Sequence, residues 1–130
     1  MEQSLKNLKA LIVDDSEFFR NQARGLLQTL GLENMVDCEN AKEALVLLSK
    51  NTFDLALIDL VMPEVNGIEL VKEIRKSNND LHIITMSTLE IENIEIDSIN
   101  VGANDFLRKP IIPDDLKDSL KEVIKGAQNE

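Results

Sequence analysis

The sequence has no tryptophan and no tyrosine, and its aromatic content is four phenylalanines. Flat aromatic platforms on which single-stranded bases stack are therefore scarce. Basic residues are in deficit too: 14 Lys and Arg stand against 24 Asp and Glu, a formal net charge of −10. A surface of that sign repels phosphate backbones, whose binding rests on basic contacts, so direct binding of DNA or RNA is not expected. A single cysteine, Cys38, excludes an internal disulfide and gives no reason to place the chain in an oxidising compartment. It reads as a small buried hydrophobe. No apolar run approaches the length of a membrane span, and Met1 to Lys6 lack the apolar core of a signal peptide, so a cytoplasmic location is expected. Repeats and low-complexity stretches are missing as well. What remains is the composition of an ordinary folded domain: 130 residues, 43% apolar, read as one unit over 1–130 with its core from about 8 to 125.

Within that unit, short apolar runs alternate with segments of helical period. Lys9 to Val13 is a first strand, and it runs into Asp14 and Asp15. Ser16 is a good N-cap for a helix whose face carries Phe19, Ala23, Leu26, Leu27 and Leu30, with Gly31 as the stop. Phe18 falls off that stripe. Met35 to Cys38 is a weaker second strand, and Asn40 with Glu43 resembles a capping box for a helix bearing Ala44, Leu45, Leu47 and Leu48. The third strand, Leu55 to Ile58, is a continuous apolar run of the kind that is covered on both faces, and it ends in Asp59. After a turn through Met62, Pro63, Asn66 and Gly67, a third helix shows Ile68, Val71 and Ile74, with Leu70 at the border. His82 to Met86 is strand four, ending at Ser87; His82 itself reads as structural or exposed. Leu89 to Val101 reads as helical, yet its apolar residues form no single stripe. Asp105 to Arg108 is a short fifth strand that ends at Lys109-Pro110. Pro113 suits the first turn of a last helix with Leu116, Leu120, Val123 and Ile124 on one face. Lys117, Lys121 and Lys125 on that helix read as a solvated face.

Five strands alternating with five helices imply right-handed crossovers and a parallel sheet covered on both faces, a doubly wound α/β sandwich. In such sheets ligands and chemistry gather beyond the carboxyl ends of the strands. Asp14 and Asp15, Asp59, Ser87 and Lys109 close strands one, three, four and five, so this fold brings their side chains to one edge. Three crowded carboxylates repel one another unless a cation joins them, and a site of carboxylates, a carbonyl and water suits Mg²⁺.

These residues resemble the receiver domain of two-component response regulators, of the small single-domain type. The resemblance covers Leu11 to Ile124 and rests on Asp14-Asp15, Asp59 followed by Met62-Pro63 and Gly67, Ser87, and Lys109-Pro110. It implies a flavodoxin-like fold with strand order 2-1-3-4-5. It also implies that Asp59 accepts a phosphoryl group, that Asp15 binds Mg²⁺ directly and Asp14 through water, and that the Val61 carbonyl is a further ligand. Lys109 and the Ser87 hydroxyl would hold phosphoryl oxygens. Phe106 matches the family's aromatic switch position, and Lys109-Pro110 its cis peptide. By the family's register, Ile96 points inward, Leu89 lies beside the phosphoryl pocket, and Ile91 and Ile99 point towards a readout face made by helix four, strand five and helix five. The partners implied are a sensor histidine kinase or histidine phosphotransfer protein and a downstream protein target, with the chain itself a monomer and not a dedicated enzyme. Phe18, near the site, is either an ordinary exposed residue or part of the surface that docks the donor.

Some positions depart from the family's commonest pattern: Val61, Asn66, Thr88 and the hydroxyl-free Phe106. Val61, Thr88 and Leu89 are expected to limit attacking water and so to lengthen the life of the phosphoryl group. Three other readings compete. Asp14 and Asp15 could be a helix cap and a first-turn acid in an interaction module that is never phosphorylated. A phosphatase of the haloacid dehalogenase type also forms an aspartyl phosphate, but it wants an acid where Val61 stands. A flavodoxin-like nucleotide binder wants a Gly-rich phosphate loop, and none follows strand one.

Overall fold

A computed structural model describes residues 5–88 and 93–128, the last four of them by backbone alone. Five strands form one parallel sheet: β1 (Lys9–Val13), β2 (Asn34–Cys38), β3 (Leu55–Asp59), β4 (His82–Ser87) and β5 (Asp105–Arg108), in the order β2-β1-β3-β4-β5. The helices are α1 (Glu17–Leu30), α2 (Ala41–Lys50), α3 (Gly67–Arg75), α4 (Ile94–Asn100) and α5 (Pro113–Gln128). The doubly wound architecture is the one the alternation of elements implied, and the strand order is the one the family resemblance implied. One apolar layer joins Ala10, Ile12, Leu55 and Leu57 of the sheet to Leu27 of α1 and Leu116 and Leu120 of α5. The other joins Leu11, Val13, Ala56 and Ile58 to Ala44 of α2 and Leu70, Val71 and Ile74 of α3. Alternate residues of β1 and β3 thus enter opposite layers, which is why both strands read as unbroken apolar runs.

The local signals explain the element ends. Ser16, Asn40 and Asn66 each accept a hydrogen bond from the amide three residues on, satisfying a free N–H at the helix start. Gly31 closes α1 in the left-handed region at φ 114°. Gly67 has a different reason: a Cβ there would lie 2.5 Å from the Asp59 carbonyl oxygen and 2.6 Å from Leu60 Cα, so only glycine lets α3 start against the end of β3.

Three helical faces differ from expectation. Leu45 is turned outward, and Ala41 and Ala44 hold the buried face of α2. Leu70, placed at a border by its spacing, is fully buried, whereas Ile68 is half-buried. The largest correction concerns α4. Its described span begins at Ile94, after Asn93 in the left-handed region, and Ile96 does not point inward: it is 55% exposed. The inward position is Ser98, fully buried, whose hydroxyl accepts from Thr85 Oγ1 of β4 at 2.9 Å and donates to the Glu95 carbonyl. With Ser98 inward, Ile96 sits two residues and about 200° away on the wheel, and so faces out. Ile99 is exposed, as expected. Leu89 and Ile91 lie outside the described residues.

Candidate functional site

The carboxyl edge of the sheet carries the acids. Asp14, directly after β1, is fully buried; its amide donates to the Cys38 carbonyl of β2 and its Oδ1 accepts from the Ser16 amide. Asp15, one residue further into the turn, is exposed. Asp59 is the last residue of β3, buried, with Oδ1 accepting from the Val61 amide at 3.2 Å. Carboxylate oxygens of Asp14, Asp15 and Asp59 all come within 4.8 Å of one another. Into this group reaches Lys109, from the turn after β5. Its side chain is 4% exposed, and Nζ lies 2.6 Å from Asp14 Oδ2 and 3.6 Å from Asp59 Oδ2. The Lys109-Pro110 peptide is cis.

Ser87 closes β4 and is buried; its carbonyl accepts from the Lys109 amide at 2.9 Å, which fixes the fifth strand's turn to the fourth strand's end. It follows Met86, the residue that pairs with Asp59 across the sheet. Phe106 pairs with Thr85, two residues before Ser87, and its ring is buried with the Arg108 guanidinium 5.7 Å from the centroid. The Val61 side chain is exposed, and its amide holds Asp59. Five scattered polar side chains therefore reach one sheet edge, with Phe106 on the neighbouring strand, two residues back from it.

The electrostatics are lopsided. Three carboxyl groups face one ammonium, and charges so close in a partly dry pocket interact strongly. Burial first, and the charge of Asp14 second, push the Asp59 carboxyl up from 3.8 to about 6, against the opposing pull of Lys109 and the Val61 amide. A divalent cation on these hard oxygens would supply the missing positive charge, and the donor set fits Mg²⁺.

The family profile described as "Response regulator receiver domain" matches residues 10–121. The chain belongs to the response regulator receiver family. This receiver is 36% identical over 126 residues to a "Chemotaxis protein CheY homolog" of Campylobacter jejuni, an alignment covering 95% of this chain and 97% of that one. Among solved structures, a Francisella response regulator receiver domain superposes with a TM-score of 0.79 at 30% identity, covering 92% of this chain and 98% of its own. A probable two-component response regulator with a GGDEF domain superposes at 0.87 and 29% identity, over 95% of this chain; the receiver spans about half (52%) of that longer chain.

Two residues of the receiver's pocket escaped the sequence reading. Spacing puts Phe19 on the core stripe of α1, yet it is only half-buried, and its ring centroid lies 4.0 Å from Lys109 Nζ. Arg20 carried no expectation. Its Nη1 donates to the Asp14 carbonyl at 2.7 Å while its Nε donates to Asp37 Oδ2 of β2 at 3.0 Å, so it ties the acidic turn to the neighbouring strand. The signal for both was their position: one turn after the Ser16 cap, the α1 side chains still lie over the end of β1.

Proposed function

We propose that this receiver is a phosphorylated switch in which Asp59 accepts a phosphoryl group from a phosphohistidine donor. An Asp59 oxygen forms the new bond to phosphorus as the P–N bond of the donor breaks, and the imidazole leaves with the bonding pair. Lys109 would neutralise a phosphoryl oxygen as a point charge, and the Ser87 hydroxyl would donate to another. Asp14, Asp15, Asp59 and the Val61 carbonyl would hold Mg²⁺, which when bound supplies charge stabilisation for the phosphoryl oxygens. The observation that carries this reading is the buried Lys109 ammonium shared between Asp14 and Asp59. An interaction module without phosphorylation has no use for so costly a buried cluster of charges.

The added charge, about −1.5 to −2, would draw Ser87 towards Asp59 and shift a pre-existing equilibrium at α4, β5 and α5. Phe106, already buried, would act as the reporter of that shift rather than turning in from solvent. The readout face includes a groove of about 350 Å³ lined by Glu95, Ile96, Ile99, Asn100, Asp105 and Phe106. Its mixture of acids and apolar groups suits a target segment with cationic and apolar side chains. The partners are a histidine kinase or histidine phosphotransfer protein upstream and a protein target downstream, met in the cytoplasm. The unit is read as one domain over 1–130, acting as a monomer.

A pull-down from lysate with protein treated with acetyl phosphate and Mg²⁺, or left untreated, tests the switch. A partner retained only after treatment supports it. Identical partners in both arms would favour the phosphorylation-independent module.

A further inference from the structure

The ammonium of Lys109 has three attractors: Asp14 Oδ2 at 2.6 Å, Asp59 Oδ2 at 3.6 Å, and the face of Phe19 with its centroid at 4.0 Å. The first two are carboxylates that the proposed chemistry would engage with a metal and a phosphoryl group. The third is not. A phenyl ring attracts a cation through its quadrupole, and it competes for neither metal nor phosphorus. Because the Lys109 side chain is almost completely removed from water, that attraction is little screened.

The ring is itself held in place. Phe19 is the residue whose amide is capped by the Ser16 hydroxyl, at 3.3 Å, so its backbone is pinned at the first turn of α1. Phe18 then meets the ring edge to face, with centroids 5.3 Å apart at 80°. Phe18 is 70% exposed. Its place here is therefore beside Phe19 at the rim of the pocket.

We propose that Phe19 is the positioning residue for Lys109, keeping the ammonium over the pocket while its carboxylate partners change. This rests on the reading of Asp59 as phosphoacceptor. Once Asp14 and Asp59 carry a cation, their hold on Lys109 weakens, and an unrestrained lysine would have four rotatable bonds by which to leave. With the ring beneath it, Nζ stays within reach of Asp59, where an incoming phosphoryl oxygen would need it.

The test uses the full chain, Phe19→Leu, which keeps an apolar side chain without the quadrupole, and Phe19→Tyr, which restores an aromatic face. The first readout needs no phosphorylation. Lys109 Cε protons in the wild type should show an upfield ring-current shift that disappears in Phe19→Leu and persists in Phe19→Tyr. The second is the rate of phosphoryl uptake from acetyl phosphate at saturating Mg²⁺. Phe19→Leu should lower it about ten-fold, equivalent to about 1.4 kcal/mol and within the range of a desolvated cation–π contact. Phe19→Tyr should recover it, and Mg²⁺ affinity by calorimetry should stay unchanged in both, as general damage to the pocket would not allow. Lys109 protons without a ring-current shift in the wild type, or uptake in Phe19→Leu at the wild-type rate, would overturn the proposal. If the wild type takes up no phosphoryl group at all, the phosphoacceptor reading fails, and the ring-current shift alone decides whether Phe19 holds Lys109.

Discussion

At Asp59 burial most of all, then the neighbouring Asp14 and last Asp15 act against ionisation, and together they raise its carboxyl from 3.8 to about 6. The consequence for stability has a definite sign. Below pH 3.8 the group is protonated in both folded and unfolded chains and costs nothing. As pH rises towards 6 the unfolded chain ionises first, so stability falls through that window and the loss is complete above it. At about 1.4 kcal/mol for each pH unit of difference, the upper bound is roughly 3 kcal/mol, with the opposing pull of Lys109 already included. Asp59→Asn is therefore expected to stabilise the protein at pH 7 in chelator by about 1–3 kcal/mol. Urea unfolding should show the gain shrink at pH 4 and on adding Mg²⁺. A second prediction concerns Gly67. Any Cβ there strikes the backbone of Asp59 and Leu60, so Gly67→Ala should destabilise the fold by about 1–3 kcal/mol and slow phosphoryl uptake, read by thermal unfolding and by labelling. At Cys38, burial and the nearby Glu43 push the thiol up to about 11, so alkylation at pH 8 should be far slower than in urea-unfolded protein. The acids were legible from their places at strand ends. Phe19 was not, because period alone assigns it to the stripe with Ala23 and Leu27, and period does not say where a stripe runs off the core.

Among the elements, α4 is where the sequence misled most, and its physics explains why. The other helices show their inner faces as leucine, valine, isoleucine and alanine, so a periodic count finds them. α4 turns a serine inward. Ser98 is held by Thr85 Oγ1, which also lies 3.2 Å from the Asp105 carbonyl, and a hydroxyl pair gives no hydrophobic signal. A seven-residue helix that starts from Asn93 without a side-chain cap has little intrinsic stability and takes its register from that contact. Ser98→Ala would leave Thr85 with one partner fewer and should cost about 1 kcal/mol, while amide exchange should speed up in α4 more than in β4. On the outer side, Ile99→Asp is expected to weaken partner binding several-fold while phosphoryl uptake persists; unchanged affinity in a titration would remove this face from the readout. Because Ile96 is exposed beside it, Ile96→Asp should act in the same direction.

At the scale of the whole molecule, crossovers and layers were readable because parallel strands buried on both faces leave long apolar runs, whereas the strand order came from the family resemblance. The carboxyl ends of the strands then had to share one edge. What could not be read there was distance: that Lys109 sits nearer Asp14 than Asp59 depends on the turns after β1 and β5. Val61, Thr88 and Leu89 are expected to give a long-lived phosphoryl group, so the phosphorylated protein isolated from donor should lose its label over minutes or longer, not seconds. The most direct test of the central claim is intact-mass spectrometry after incubation with acetyl phosphate and Mg²⁺. The wild type should gain the mass of one phosphoryl group, mapped to Asp59, and Asp59→Asn should gain none. Equal uptake by Asp59→Asn, or none by the wild type with Mg²⁺ present, would contradict it.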